Sequence, residues 1–203
     1  MKNIGWFWLV VWFFGGCQSE VSYLPKPKGY HRIELPPHAY KPLPNKYPYH
    51  FEYSVHAEIH ADTSFVAKMY AKEHLDSWIE IRYPMFKSQI SISYYPVRQN
   101  LDSLIRYVNT SHKLTNKHII KATAIDEIMT KTPSGDWAIL FELDGDVPSQ
   151  FQYFITDSTT NFIRAALYFP TSTKNDSLAP VIQYVKEDML HMLNTTTWKK
   201  KRK

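Results

Sequence analysis

Four short apolar-rich runs follow one another closely at residues 122–129, 137–143, 150–156 and 162–169. Between them stand the turn-forming clusters Pro133-Ser134-Gly135-Asp136, Asp144-Gly145-Asp146 and Asp157-Ser158-Thr159-Thr160-Asn161. A parallel crossover needs roughly a dozen residues or more, so connections this short predict an antiparallel meander. Three earlier runs extend the theme. Phe51, Tyr53 and Val55 alternate on one side of a predicted strand, and residues 78–83 and 89–95 form two more. In the last of these, Ile90, Ile92 and Tyr94 alternate with polar residues, the period-2 signature of a half-buried strand. Pro84 and Pro96 mark the ends of those two runs.

Two helices complete the pattern. Asn100 is placed to cap a helix whose apolar stripe is Leu101, Leu104, Ile105 and Val108. A second helix is predicted over 177–193, with Asp176 as its cap and Pro180 early enough to be tolerated. Ile182, Val185, Met189 and Met192 or Leu193 supply its buried stripe. The order β, β, β, α, β, β, β, β, α is an α+β pattern, an antiparallel sheet of about six to seven strands with two packed helices. That strand order resembles a PsbP/Mog1-like sandwich. No internal repeat of fixed period is present.

Residues 1–16 read as an export signal. Lys2 supplies a positive charge, residues 4–14 form an apolar run with three of the six tryptophans, and Gly15, Gly16 and Cys17 follow at once. A charged start, a short apolar run and small residues at the cleavage site mark a secretory signal. The run is too short to cross a ~30 Å hydrocarbon core, which needs roughly 20 residues. Cys17 is the single cysteine, so no intramolecular disulfide can form. Its thiolate is the soft nucleophile suited to taking a diacylglycerol group. The arrangement resembles the lipobox of bacterial lipoproteins, with Phe14 where leucine is usual. Cys17 is therefore the expected lipid attachment site, carrying diacylglycerol and an N-acyl chain, and no other cofactor is implied. An uncleaved anchor helix and simple cleavage to a free thiol are the alternatives.

Residues 18–48 hold seven of the thirteen prolines, which forbids a helix and favours extended backbone. Tyr23, Tyr30, Tyr40 and Tyr47, with Ile33 and Leu35, make the segment too apolar for a purely flexible linker. The expected division is a signal at 1–16, a lipidated tether and docked arm at 17–48, one domain at 49–198 and a basic tail at 199–203. The tail holds five of the 24 basic residues, which leaves 19 against 19 acidic ones, so the folded body is neutral. A neutral body argues against nucleic acid as a partner. The tail itself reads as a solvated terminus that aids solubility.

Candidate chemistry is sparse. His56, Glu58 and His60 alternate and would share one face of a strand, where two imidazoles and a carboxylate can hold zinc with an open position. The plainer reading buries Val55, Ala57, Ile59 and Ala61 and leaves that trio facing water. Asp144-Gly145-Asp146 resembles part of a calcium loop but lacks the longer acidic ladder and terminal Glu, so a hairpin turn is expected. There is no Gly-x-Ser-x-Gly elbow, and six glycines in all form no phosphate-cradling loop. The chain is read as a non-enzyme. Aromatic and arginine side chains dominate protein interfaces, which singles out Tyr30 and Arg32 in the arm as partner contacts.

Four blocks carry a family resemblance. They are Tyr23-Leu24-Pro25-Lys26-Pro27-Lys28-Gly29-Tyr30-His31-Arg32-Ile33-Glu34-Leu35-Pro36; Ser77-Trp78-Ile79-Glu80-Ile81 with Tyr83-Pro84; the stretch from Phe154-Ile155-Thr156-Asp157-Ser158 through Phe162-Ile163-Arg164-Ala165-Ala166-Leu167-Tyr168-Phe169; and Asn175-Asp176-Ser177-Leu178-Ala179-Pro180-Val181-Ile182. In this order behind a lipobox they resemble the GldD family of gliding-motility lipoproteins. Ala165 departs from the family pattern, which has glycine there, and the stretch before Trp78 is shorter. The resemblance implies an accessory or assembly component of the gliding apparatus and the linked type IX secretion machinery, with other lipoproteins and membrane components of those systems as partners. It carries over no catalytic residues. Gln18 stands where a retention aspartate would hold a lipoprotein in the inner membrane, so outer-membrane sorting is expected. Only Glu20 is acidic before Lys26, unlike the acidic cluster of surface-exposed lipoproteins, so the domain is expected to face the periplasm. A periplasmic ligand-binding or metal-dependent lipoprotein of similar fold is the alternative.

Overall fold

The computed structural model of the chain describes residues 33–169 and 175–199, so Cys17, Tyr30 and Arg32 lie outside the described residues. The compact unit begins at Arg32 rather than at Tyr49. Leu43 and Tyr47, upstream of the expected boundary, are both buried in the main core.

The central element is a seven-stranded antiparallel sheet. Its strands are β4 (Glu58–Ala61), β5 (Ile79–Tyr83), β6 (Ser88–Pro96), β7 (Ala122–Lys131), β8 (Trp137–Gly145), β9 (Phe151–Thr156) and β10 (Asn161–Tyr168), in the order β4-β5-β6-β10-β9-β8-β7. The predicted meander is β7 to β10, joined by the three turns read from sequence. Gly145 ends β8 at φ +101°, and a Cβ there would sit 2.6 Å from the Lys121 carbonyl and 2.8 Å from the Thr123 nitrogen. Only glycine fits beside the register shift at Ala122/Ala124, so Asp144-Gly145-Asp146 is a strand end and turn.

Alternate residues of β9 and β10 serve two cores. Ile155, Ile163, Ala165 and Leu167 face the larger one, while Phe154 and Phe162 face the smaller. Both strands are buried on both faces for that reason. The helix α3 (Asn175–Thr195) covers the larger core with Val181, Val185, Met189, Met192 and Leu193. It begins before Asp176, so that residue lies inside the first turn and not at the cap, and Pro180 is an interior residue. Each large apolar side chain buried here contributes about 1.5–3 kcal/mol of transfer free energy.

The helix α2 (Leu101–Asn116) covers the smaller core, and its Asn100 side chain accepts the Ser103 N–H at 2.9 Å as predicted. Its buried face is rotated from the expected stripe. Leu101 and Ile105 are exposed at 68% and 48%, while Leu104, Tyr107 and Val108 pack inward, followed by buried Ser111 and Thr115. Tyr107 sets the rotation by stacking on Tyr95 at 4.7 Å, with Phe162 at 5.7 Å.

The expected strand through Phe51, Tyr53 and Val55 is divided. Tyr49–His50 (β2) pairs with Thr197–Trp198 (β11), while Glu52–Ser54 (β3) pairs with Tyr40–Pro42 (β1). Backbone bonds from the Leu43 N–H to the Phe51 carbonyl at 2.9 Å and from the Val55 N–H to the Ala39 carbonyl at 2.8 Å carry the second ladder past both ends of β3, and the Val55 side chain is left half-exposed in the turn beyond. A short helix, α1 (Phe65–Tyr70), was not expected; Ser64 caps it through the Ala67 N–H.

Candidate functional site

An open groove of about 1010 Å³ lies where the β2–β11 pair meets three connections: the β7–β8 turn, the β9–β10 turn and the loop after β6. Its aromatic lining is Tyr47, Tyr94 and Trp198, and Tyr47 is backed by the buried rings of Tyr49 and Phe51, stacked in steps of 5.7 Å. Tyr94 leans against Tyr49 at 5.7 Å and donates its hydroxyl to the Asn161 side-chain oxygen at 2.9 Å. Burial, and then the charge of Asp157, push the Tyr94 phenol above its ordinary range.

The two acids of the groove are occupied in holding turns. Asp136 accepts the Trp198 indole N–H at 3.0 Å and the Ser134 hydroxyl at 2.7 Å. The Asp157 carboxylate gathers the backbone N–H groups of Thr159, Thr160 and Asn161 together with the Thr160 hydroxyl. Burial alone would raise its pKa, but those hydrogen bonds prevail and hold it at about 2. Three cationic side chains stand further out, at the rim. Lys46, Arg98 and Lys199 are all exposed there, and His74 sits 3.2 Å from the Arg98 guanidinium.

Arg98 and Gln99 are both in the left-handed region, at φ 56° and 57°. Two consecutive non-glycine residues there are strained, by on the order of 1–3 kcal/mol each. The Val97 N–H to Thr160 carbonyl bond at 2.8 Å and the Gln99 N–H to Thr159 carbonyl bond at 2.6 Å hold the loop in place. The rim loop is thus strapped to the turn that Asp157 organises. Lys199 is likewise part of the fold, donating its backbone N–H to the Pro48 carbonyl at 3.0 Å.

This coupling has a pH signature. The Asp157 pKa is depressed from 3.8 to about 2, so its stabilisation is complete above pH 3.8 and is lost as pH falls through 2. At 1.36 kcal/mol per pKa unit, discounted by roughly half for the solvent screening of this partly exposed carboxylate, about 1 kcal/mol is at stake. Urea unfolding at pH 5 and pH 2 is expected to show a loss of that size in the wild type and a smaller one in Asp157→Asn. Equal losses would sink the assignment.

The groove was not legible beforehand. Its cations are far apart in sequence, and a left-handed Arg-Gln pair has no composition signal. The trio singled out earlier does not assemble. His56 lies in a turn with Nε2 3.2 Å from the Pro37 carbonyl, while Glu58 and His60 pair with each other at 3.3 Å on the edge strand β4. Among the described residues no three potential ligands converge. The alternation fails because the strand begins only at Glu58.

A second polar centre ties the arm to α3. The fully buried Asp188 carboxylate receives the Tyr83 hydroxyl at 2.9 Å and faces His38 Nδ1 at 2.7 Å. The other His38 nitrogen meets Glu187 at 3.0 Å, so both ring nitrogens are engaged and neither is left to activate a nucleophile. His38 stacks on Tyr184 at 4.2 Å and Tyr40 on His191 at 3.6 Å. This cluster fastens structure.

A comparison with curated proteins finds no match. Among solved structures the chain is similar to the solution structure of cyanobacterial PsbP (CyanoP) from Synechocystis sp. PCC 6803, at 10% identity and a TM-score of 0.45, over 83% of this chain and 97% of that one. The family model for gliding motility lipoprotein GldD matches residues 20–198. With nearly the whole chain matched, this protein belongs to the gliding motility lipoprotein GldD family.

Proposed function

We propose that this family member is a non-catalytic assembly component, held by lipid at the periplasmic face of the outer membrane, serving gliding and the linked type IX secretion machinery. Its groove takes an acidic, aromatic-bearing segment of a neighbouring lipoprotein or membrane component of that apparatus. The observation that carries this reading is the asymmetry of the groove. Asp136 and Asp157 are half-buried and directed into the turns they hold, while Lys46, Arg98 and Lys199 reach further into solvent beside Tyr47, Tyr94 and Trp198. Cations next to aromatic surface are what a recognition rim requires.

The test is Lys46→Glu combined with Arg98→Glu. Lys46 is exposed, so its replacement should change folding by no more than about 0.5 kcal/mol; Arg98 also contacts His74 within a left-handed loop, so urea unfolding of the double variant is compared with the wild type alongside. Two reversed charges facing an acidic partner cost several kcal/mol of association, enough for at least roughly a hundredfold loss. Colony spreading and type IX cargo release are expected to fail while the protein accumulates normally in membranes. Wild-type spreading at normal protein level would overturn the reading.

A further inference from the structure

β7 is an edge of the seven-stranded sheet, with β8 as its ladder partner, and it runs for ten residues against four for β4 at the opposite edge. Long edges are usually blunted by proline, bulges or inward charges. Here the register shift at Ala122/Ala124 touches one end, and residues 124–131 pair with β8 without irregularity. The orientation of the ladder follows from the hairpin. The Thr132 N–H donates to the Asp136 carbonyl at 2.9 Å, which makes that pair a hydrogen-bonded one. Every second residue back, Thr130, Ile128 and Asp126, then turns its backbone polar groups toward β8. Ile125, Glu127, Met129 and Lys131 turn theirs outward. The side chains at the centre of this edge are exposed, Met129 by 65% and Ile128 by 47%.

We propose that this edge pairs with the same edge of a second copy, antiparallel, about a two-fold axis at Met129. The two sheets would join as one of fourteen strands, twice the seven of each chain. An axis perpendicular to the sheet keeps each face on its own side, so outward-facing residues meet outward-facing residues. Centred on Met129, the register sets Glu127 of each chain opposite Lys131 of the other, giving two opposite-charge pairs flanking a Met129–Met129 contact. Ile128 meets Thr130 on the other face. Centring on Glu127 would put two carboxylates together, and centring on Ile128 or Thr130 yields no charge pair. Lys131 lies on that face, 4.4 Å over the Trp137 ring, and so does Glu127, which is half-exposed and 3.5 Å from His112 Nδ1 of its own chain, so the Lys131 contact would add to that pair. Charge complementarity therefore selects one register and one occupant.

The experiment uses the full-length chain in intact cells. The native Cys17, as the lipid acceptor, leaves an introduced thiol as the free one. In the proposed register the two Met129 Cα atoms are about 5.5 Å apart, within disulfide range. Met129→Cys is expected to give a disulfide-linked homodimer on mild oxidation. Asp126→Cys, which would face Thr132 of the partner, is expected to give at least tenfold less. Adding Glu127→Lys to Met129→Cys should lower the dimer yield, and adding Lys131→Glu as well should restore it. Equal crosslinking at both positions, a monomer throughout, a crosslink to a different protein, or no rescue by the double reversal would each overturn the pairing.

Discussion

Replacing Asp188 with alanine is expected to destabilise the domain by about 3–5 kcal/mol, the usual result of removing one partner from a buried charged network. The side chain is fully buried, and its loss strands the Tyr83 hydroxyl and the His38 ring it now faces. A total stability of roughly 5–15 kcal/mol leaves little margin for that change. Asp188→Asn keeps an acceptor for Tyr83 and should lose only about 1–2 kcal/mol. Equilibrium unfolding in urea measures both variants. A loss below about 1 kcal/mol for alanine would mean the cluster does not fasten the arm. Burial, and then the Asp188 charge, hold the Tyr83 phenol well above its usual value of 10.0. A raised phenol stabilises the fold fully below pH 10 and loses that contribution only as pH climbs toward the shifted value. Neutral pH is therefore the right condition for comparing the variants.

The same cluster shows where sequence reading reaches and where it stops. Period-2 alternation and compact turns located β5 to β10 within a residue or two, because those signals are local. The α3 stripe was equally plain, since Val185, Met189 and Met192 repeat at helical spacing. The face of α2 was not, because Leu101 and Ile105 satisfy the same spacing as Leu104 and Val108. Only the packing of Tyr107 on Tyr95 and on Phe162 of β10, a tertiary contact that helical spacing does not encode, decides between them. Long-range pairing also explains the divided run at Tyr49 to Ser54, whose partners β11 and β1 lie far away or behind prolines. His38 and Asp188 are 150 residues apart, so no local pattern could join them. The groove has the same origin: each of its turns was readable, but their convergence was not.

Converting Cys17 to alanine is expected to move the protein from the membrane pellet to the soluble fraction. Each buried methylene of an attached acyl chain contributes ~0.8 kcal/mol of membrane affinity, and one chain alone gives only marginal anchoring. Diacylglycerol plus an N-acyl group on Cys17, as expected from the sequence, would make the difference between stable attachment and release. No described helix is long and apolar enough to cross a membrane. The competing contribution is electrostatic, because Lys199 is the first of five consecutive basic residues that can attract anionic headgroups. Salt separates the two effects, since such attraction is screened beyond ~3 Å at 1 M ionic strength while acyl burial is not. The wild type should stay in the pellet through a high-salt wash, and Cys17→Ala should leave it even at low salt. Protease added to intact cells should spare the wild type alongside a periplasmic control, as expected for a domain beneath the outer membrane. If the alanine variant still sediments after high salt, the lipid at Cys17 is not the anchor. Degradation of the wild type while the control survives would instead keep the anchor and place the domain on the cell surface.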